Sequence, residues 1–177
     1  MARAKTYALN KQKYLLAPEK DRLEYIIESF IHKNTRDCLL LTLALKTGAR
    51  ATELLLLEKT DVNEYERSVF IQGIKGSNDR ELPLSATTYE YLMHYMNKCE
   101  DQKIFPFSYN RLRQIWQFYR PVHKKFHSLR HTFAIDLYKK TKDIRLVQFA
   151  LGHRNISNTM IYADYAYSQE ELRKLIL

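Results

Sequence analysis

The stretch from Leu39 to Leu57 is the most apolar part of the chain and sets the first limit on its fold. Lys46, Arg50 and Glu53 interrupt it, and Gly48 stands near its middle. Charges at those depths would be heavily penalised in a bilayer, so the stretch does not read as a membrane span. It reads instead as two buried helices joined by a glycine turn. One is capped by Asn34 or Thr35 and runs to about Thr47; the other is short, from Arg50 to Leu57. A chain of 177 residues can bury a core around such a segment without disulfides or metals. Cys38 and Cys99 show neither a disulfide framework nor a metal-ligand spacing, which suits a reducing cytoplasm. Charge runs through the first thirty residues, unlike a secretory signal.

Further along, patterning divides the chain. Residues 1–16 are basic and polar and read as a loose lead, with one domain following over 17–177. Ala17-Pro18 opens a helix whose Leu23, Ile26, Ile27, Phe30 and Ile31 recur at helical spacing to about His32. Ser68 to Gly73 is β-rich, Lys75 to Asp79 is turn-like, and Arg80 to Leu84 extends again. That is a β-hairpin, with a third short strand expected near Val62. Helices are expected at about 86–97, 108–119, 127–140, 143–150, 156–165 and 168–176. The fold class is α+β: mainly helical, with one small antiparallel sheet. Net charge is +9, from 29 Lys and Arg against 20 Asp and Glu, and it suits a polyanionic partner.

Four segments carry residues with chemistry in them. Arg50 follows the Gly48 turn at a helix start, where a guanidinium can grip a phosphate with two prongs; pairing with Glu53, three residues on, is the plainer use. Lys75 in the hairpin turn can reach a phosphate or a leaving oxygen, or simply be solvated. His127, Arg130 and His131 share one helix face, two imidazoles beside a fixed cation, and such a cluster repels itself unless an anion sits near it. Leu151-Gly152-His153 is followed nine residues after His153 by Tyr162, one of 13 tyrosines.

Taken together and in this order, these segments resemble the tyrosine recombinase (phage integrase) family. Its pattern is an Arg in a Thr-Gly-x-Arg-x-x-Glu-Leu segment, a hairpin Lys, a His-x-x-Arg, a Leu-Gly-His, and a Tyr nine residues beyond that last His. Thr47 to Leu54, Lys75, His127 with Arg130, Leu151-Gly152-His153 and Tyr162 match it, across about Leu16 to Tyr167. The resemblance implies a catalytic domain that cleaves and rejoins duplex DNA through a 3′-phosphotyrosyl bond to Tyr162. It assigns Arg50 and Arg130 to the non-bridging phosphate oxygens, Lys75 to the leaving 5′ oxygen, His127 to the tyrosine proton and His153 to a phosphate hydrogen bond. Glu53 and His131 take supporting roles. Tyr165 and Tyr167 are nearby rivals without the nine-residue spacing. No cofactor and no metal are implied, because no Asp/Glu cluster stands out.

Most family members carry a separate N-terminal helical domain that clamps the opposite face of the DNA. Only a short lead precedes the catalytic region here, so the sequence reads as lacking that domain, either as a minimal recombinase or as a fragment. The resemblance also implies a homo-oligomer, a tetramer on paired sites, and accessory DNA-bending proteins as further partners. Base or phosphate contacts are expected from the segment around Arg111 and Arg113 and from Lys124 and Lys125. The apolar tail ending Leu175-Ile176-Leu177 either completes the core in cis or docks on a neighbouring protomer. Three rivals stay open: a DNA-binding regulator without catalysis, a type IB topoisomerase, and a relaxase.

Overall fold

The computed structural model describes residues 9–74, 76–165 and 169–177. Helices α1 (Ala17–Phe30), α2 (Thr35–Thr47) and α3 (Ala51–Leu56) come first. Strands β1 (Val62–Asn63), β2 (Ser68–Ile71) and β3 (Arg80–Pro83) follow. Helices α4 (Ala86–Lys98), α5 (Tyr109–Tyr119), α6 (Ser128–Thr141), α7 (Ile144–Leu151) and α8 (Gln169–Ile176) complete the order. The sheet is antiparallel in the order β1-β2-β3, with Val69 opposite Leu82 and Ile71 opposite Arg80. The expected third strand near Val62 is therefore β1.

The apolar segment that opened the sequence forms the centre. Cys38 to Leu41 and Leu43 to Leu45 are buried all round α2, which packs against α1, α4 and α6. Each such leucine contributes about 1.5–3 kcal/mol through burial. The helix ends where Gly48 turns left-handed at φ +62°, and its N–H donates to the Ala44 carbonyl. A Cβ at Gly48 would stand 2.5 Å from Cδ1 of Phe133, so glycine also lets α6 come close behind the turn. Glu19 accepts from the Leu16 N–H at 2.8 Å, and Glu53 accepts from the Arg50 N–H at 2.8 Å. Each carboxylate satisfies a backbone donor ahead of its helix, α1 and α3 respectively.

A second, smaller apolar cluster lies against the outer side of α6. Leu9, Tyr14, Ala134, Ile135, Val147, Leu151 and Tyr162 form it. Here the structure corrects two expectations. The lead is not loose over its described part: Leu9, Tyr14 and Leu15 are buried, because these apolar side chains sit amid the basic run and the Leu15 N–H donates to Thr132 at 2.8 Å. The helix expected over 156–165 is instead two 3₁₀ segments, Ile156–Asn158 and Met160–Tyr165. Asn155 starts the first by accepting from the Ser157 N–H at 2.9 Å. At the tail, Leu175, Ile176 and Leu177 are exposed and do not complete the core in cis. No helix among the described residues is long and apolar enough to cross a membrane.

Candidate active site

Glu53 is the hub of the site. Its side chain is fully buried, on the first turn of α3. One oxygen accepts from Arg50 Nη1 at 2.9 Å. The other accepts from the Arg50 backbone N–H at 2.8 Å and from Arg80 Nη2 at 2.8 Å, and it stands 4.0 Å from Arg130 Nη1. Burial alone would raise this carboxyl's pKa. The Arg80 hydrogen bond and charge, the Arg50 N–H and the Arg130 charge outweigh it and hold the group below the usual carboxylate range. Arg50 and Arg130, far apart in sequence, thus meet at one carboxylate.

Arg130 is buried, and its two terminal nitrogens donate to the carbonyls of Gly48 and Leu151, each at 2.7 Å. Those carbonyls end α2 and α7, so one guanidinium ties the glycine turn ahead of Arg50 to the turn that carries His153. Arg50 is held differently: its side chain is 31% exposed and also donates to the Ser77 hydroxyl in the loop after β2. That leaves it within reach of a ligand at the surface.

The imidazoles line the same field. Desolvation by the surrounding protein, then the Arg130 and Arg50 charges, lowers the His127 pKa to about 4, although the residue keeps part of its surface exposed. Burial and the Arg130, Arg50 and Arg80 charges bring His153 to about 3. Its Nδ1 lies 3.0 Å from the Thr159 hydroxyl, which fixes the ring's orientation. His131 is buried and brought to about 3 by burial, then His127, Arg130 and Lys13; its ring meets that of His127 edge-on at 4.8 Å. Three guanidinium groups against one carboxylate leave an excess of positive charge, and an anion bound there would relieve all three rings.

Tyr162 is 1% exposed, and its hydroxyl lies 2.9 Å from His131 Nδ1. It also interacts electrostatically with Arg130. The imidazole touching the phenol is therefore His131, one helical turn beyond the His127 that the resemblance assigns to the tyrosine proton. Lys75, like Tyr167, lies outside the described residues. Its loop is nonetheless anchored: Ser77 pairs with His153 in an isolated bridge, and the Asn78 N–H donates to the Gly152 carbonyl at 2.9 Å.

Sequence reasoning missed Arg80. Its signal was available, since strand alternation puts it on the same face as Leu82, and an arginine on a buried strand face needs a buried partner. Of the expected DNA contacts, Arg111 and Arg113 are exposed on α5, and Lys125 is exposed ahead of α6. Lys124 is a correction. Its ammonium turns inward to Glu19 and to the Tyr14 carbonyl, and its side chain is only 10% exposed, because a nearby carboxylate outcompetes solvent. Among the described residues, no three His, Cys, Asp or Glu side chains gather as a metal ion requires.

Residues 17–169 match the phage integrase family. The chain belongs to that family. It is 31% identical to the tyrosine recombinase XerA of Pyrococcus horikoshii, across 81% of this chain and 54% of the relative. A solved structure of the XerH site-specific recombinase bound to its difH substrate, a pre-cleavage complex, shares 25% identity and a TM-score of 0.71, over 96% of this chain and 55% of that one. The catalytic domain of bacteriophage HP1 integrase superposes with a TM-score of 0.68 at 23% identity, over 92% of this chain and 94% of that domain; this likeness shows the integrase fold alone. The chain spans about half the length of several curated phage integrase relatives that it matches.

Proposed function

We propose that this domain is a tyrosine-type site-specific recombinase, cutting and rejoining duplex DNA through a covalent bond to Tyr162. The meeting of Arg50 and Arg130 at Glu53, with His127 and His153 in the same field, is the observation that carries the reading. Two planar guanidinium forks suit the non-bridging oxygens of a phosphodiester, and fixed cations stabilise the charge that builds on them. The Tyr162 oxygen forms a bond to phosphorus while the bond to the 5′ oxygen breaks. The phenol proton passes to the His127–His131 pair, and Lys75 supplies a proton to the departing 5′ oxygen. His153 donates to a phosphate oxygen. The 5′ hydroxyl of a partner strand reverses the step, so the phosphodiester energy is kept.

Net charge +9 and the exposed Arg111, Arg113 and Lys125 support a duplex DNA partner. Pairing of two sites calls for several protomers, four in the simplest arrangement, with DNA-bending proteins as further partners. The deciding experiment incubates the chain with nicked duplexes of randomised sequence, traps covalent adducts and maps the modified peptide. The expected adduct is on Tyr162 and absent from Tyr162→Phe. An adduct on Tyr165 or Tyr167, or none, would overturn the reading. Relaxation of supercoiled plasmid without exchange between sites would mark a topoisomerase instead.

A further inference from the structure

Arg80 has no role in the chemistry just described, yet its charge is as enclosed as that of Glu53. Its side chain is fully buried at the start of β3. Nη2 donates to Glu53 and Nε to the Ala150 carbonyl, both at 2.8 Å. The remaining terminal nitrogen, Nη1, is buried without a hydrogen-bond partner among the described residues. A buried ion pair rarely repays its desolvation relative to apolar packing, and an unsatisfied nitrogen adds to the deficit. Stability alone therefore does not account for an arginine at this place.

Its position does. Three segments of the site converge on the guanidinium: α3 through Glu53, the end of α7 through Ala150, and the hairpin through β3 itself. The chain is shaped to let it pass. Gly152 is left-handed at φ +65°, and a Cβ there would fall 3.1 Å from Arg80 Nη1 and 2.5 Å from the Asn78 carbonyl oxygen. Asn78 and Ser77 in turn bind the Gly152–His153 turn, and the Ser77 hydroxyl takes the Arg50 guanidinium.

We propose that Arg80 is a positioning residue of the cleavage site: it locks the Glu53 carboxylate in the one orientation that aims Arg50 while pinning the hairpin and the His153 turn to each other. The inference rests on the function proposed above. Arg50 is partly exposed and would otherwise sample many rotamers. Held by a carboxylate that cannot rotate, it meets the phosphate already oriented, and the transition state gains what would otherwise be spent on ordering it.

The test uses Arg80→Met, Arg80→Lys and Glu53→Gln, singly and as Glu53→Gln/Arg80→Met, with the nicked random-sequence duplex pool as probe. Adduct formation on Tyr162 should slow at least tenfold in Arg80→Met. In the Glu53→Gln background, the same change should add less than twofold. A rate within twofold of the parent chain, or an undiminished loss in the Glu53→Gln background, would overturn the inference. Should Arg80→Met fail to fold, Arg80→Lys decides: its single prong cannot hold Glu53 and Ala150 together, so a parental rate there overturns the idea equally. A second readout needs no DNA. The Arg50 guanidinium NMR signal should be sharp in the parent and broadened in either Arg80 variant. If the parent chain forms no adduct, the proposed function fails, and the Arg50 line shape alone decides the positioning role, an unchanged line counting against it.

Discussion

The hydroxyl of Tyr162 lies 2.9 Å from Nδ1 of His131, inside a cluster that also buries Leu9 and Tyr14. With its pKa near 3, that imidazole is neutral at physiological pH and can accept as well as donate. The first expectation follows from the pairing. His131→Ala removes a partner of a buried hydroxyl and should destabilise the fold by about 1–3 kcal/mol, whereas Tyr162→Phe, which removes the hydroxyl itself, should cost about 0.5–1.5 kcal/mol. Urea unfolding of both single variants and the double should show strong non-additivity, because the two changes delete one interaction. Strict additivity would mean the contact contributes nothing.

Glu53→Gln should be among the most destabilising substitutions available. It leaves Arg80 buried opposite a neutral amide and weakens the hold on Arg50. Breaking a buried pair in this way costs about 3–5 kcal/mol. Equilibrium denaturation checks the figure, and a loss below about 1 kcal/mol would show that the hub does not carry the weight its contacts suggest.

Gly152→Ala tests the junction between the hairpin and the His153 turn. The new methyl group meets the Asn78 carbonyl at 2.5 Å in a left-handed backbone. The variant should lose more than about 1 kcal/mol of stability and should also slow adduct formation, since Ser77, His153 and Arg50 share that junction. A fully active, equally stable variant would show that the turn is free to shift.

Much of this architecture was legible in the residues. The Leu39–Leu57 stretch announced α2, the Gly48 turn and α3, because only a buried helix pair accommodates leucines on every side with a glycine between them. The hairpin followed from alternation around a turn. The run after Asn155 was misread as one helix, since its apolar spacing fits a 3.6-residue period while local capping favours 3₁₀ turns. Arg50, Arg130, His127, His153 and Tyr162 stood out by their order along the chain, and the Arg50 and Arg130 side chains meet at Glu53. What order alone did not reveal is which residues touch: that His131, rather than His127, meets the phenol, that Lys124 turns inward, and that Arg80 joins Glu53. Those facts depend on how α6, β3 and the lead pack in three dimensions.

Acidification should destabilise the protein. His127, His131 and His153 have folded pKa values of about 4, 3 and 3, below the unfolded value near 6.5. Below that unfolded value the open chain takes up protons that the folded chain refuses, so stability falls as pH drops from about 6.5 towards 3–4. The lowered Glu53 pKa acts in the same direction. Melting temperature should be flat from pH 7 to 8 and decline below about pH 6.5. A rise on acidification would contradict the charge distribution described for the site.

DNA affinity should weaken steeply with salt, and the residues should separate by exposure. Arg111→Ala or Arg113→Ala should each lower the log–log salt slope by about one if they contact phosphates. Lys124→Ala should leave the slope unchanged, because that ammonium is engaged with Glu19. Titrations at several salt concentrations, on one duplex of fixed sequence, give the comparison directly.

The 3₁₀ segment around Tyr162 has a chemical corollary. A side chain only 1% exposed cannot touch a phosphodiester, so in this conformation the Tyr162 oxygen that the proposed reaction needs is covered. Short 3₁₀ turns have poorer hydrogen-bond geometry than an α-helix, and Met160–Tyr165 can be re-formed at a smaller penalty than unwinding α6 or α7 would exact. If Tyr162 is the nucleophile as proposed, encounters with DNA that leave this segment in place pass without breaking a strand.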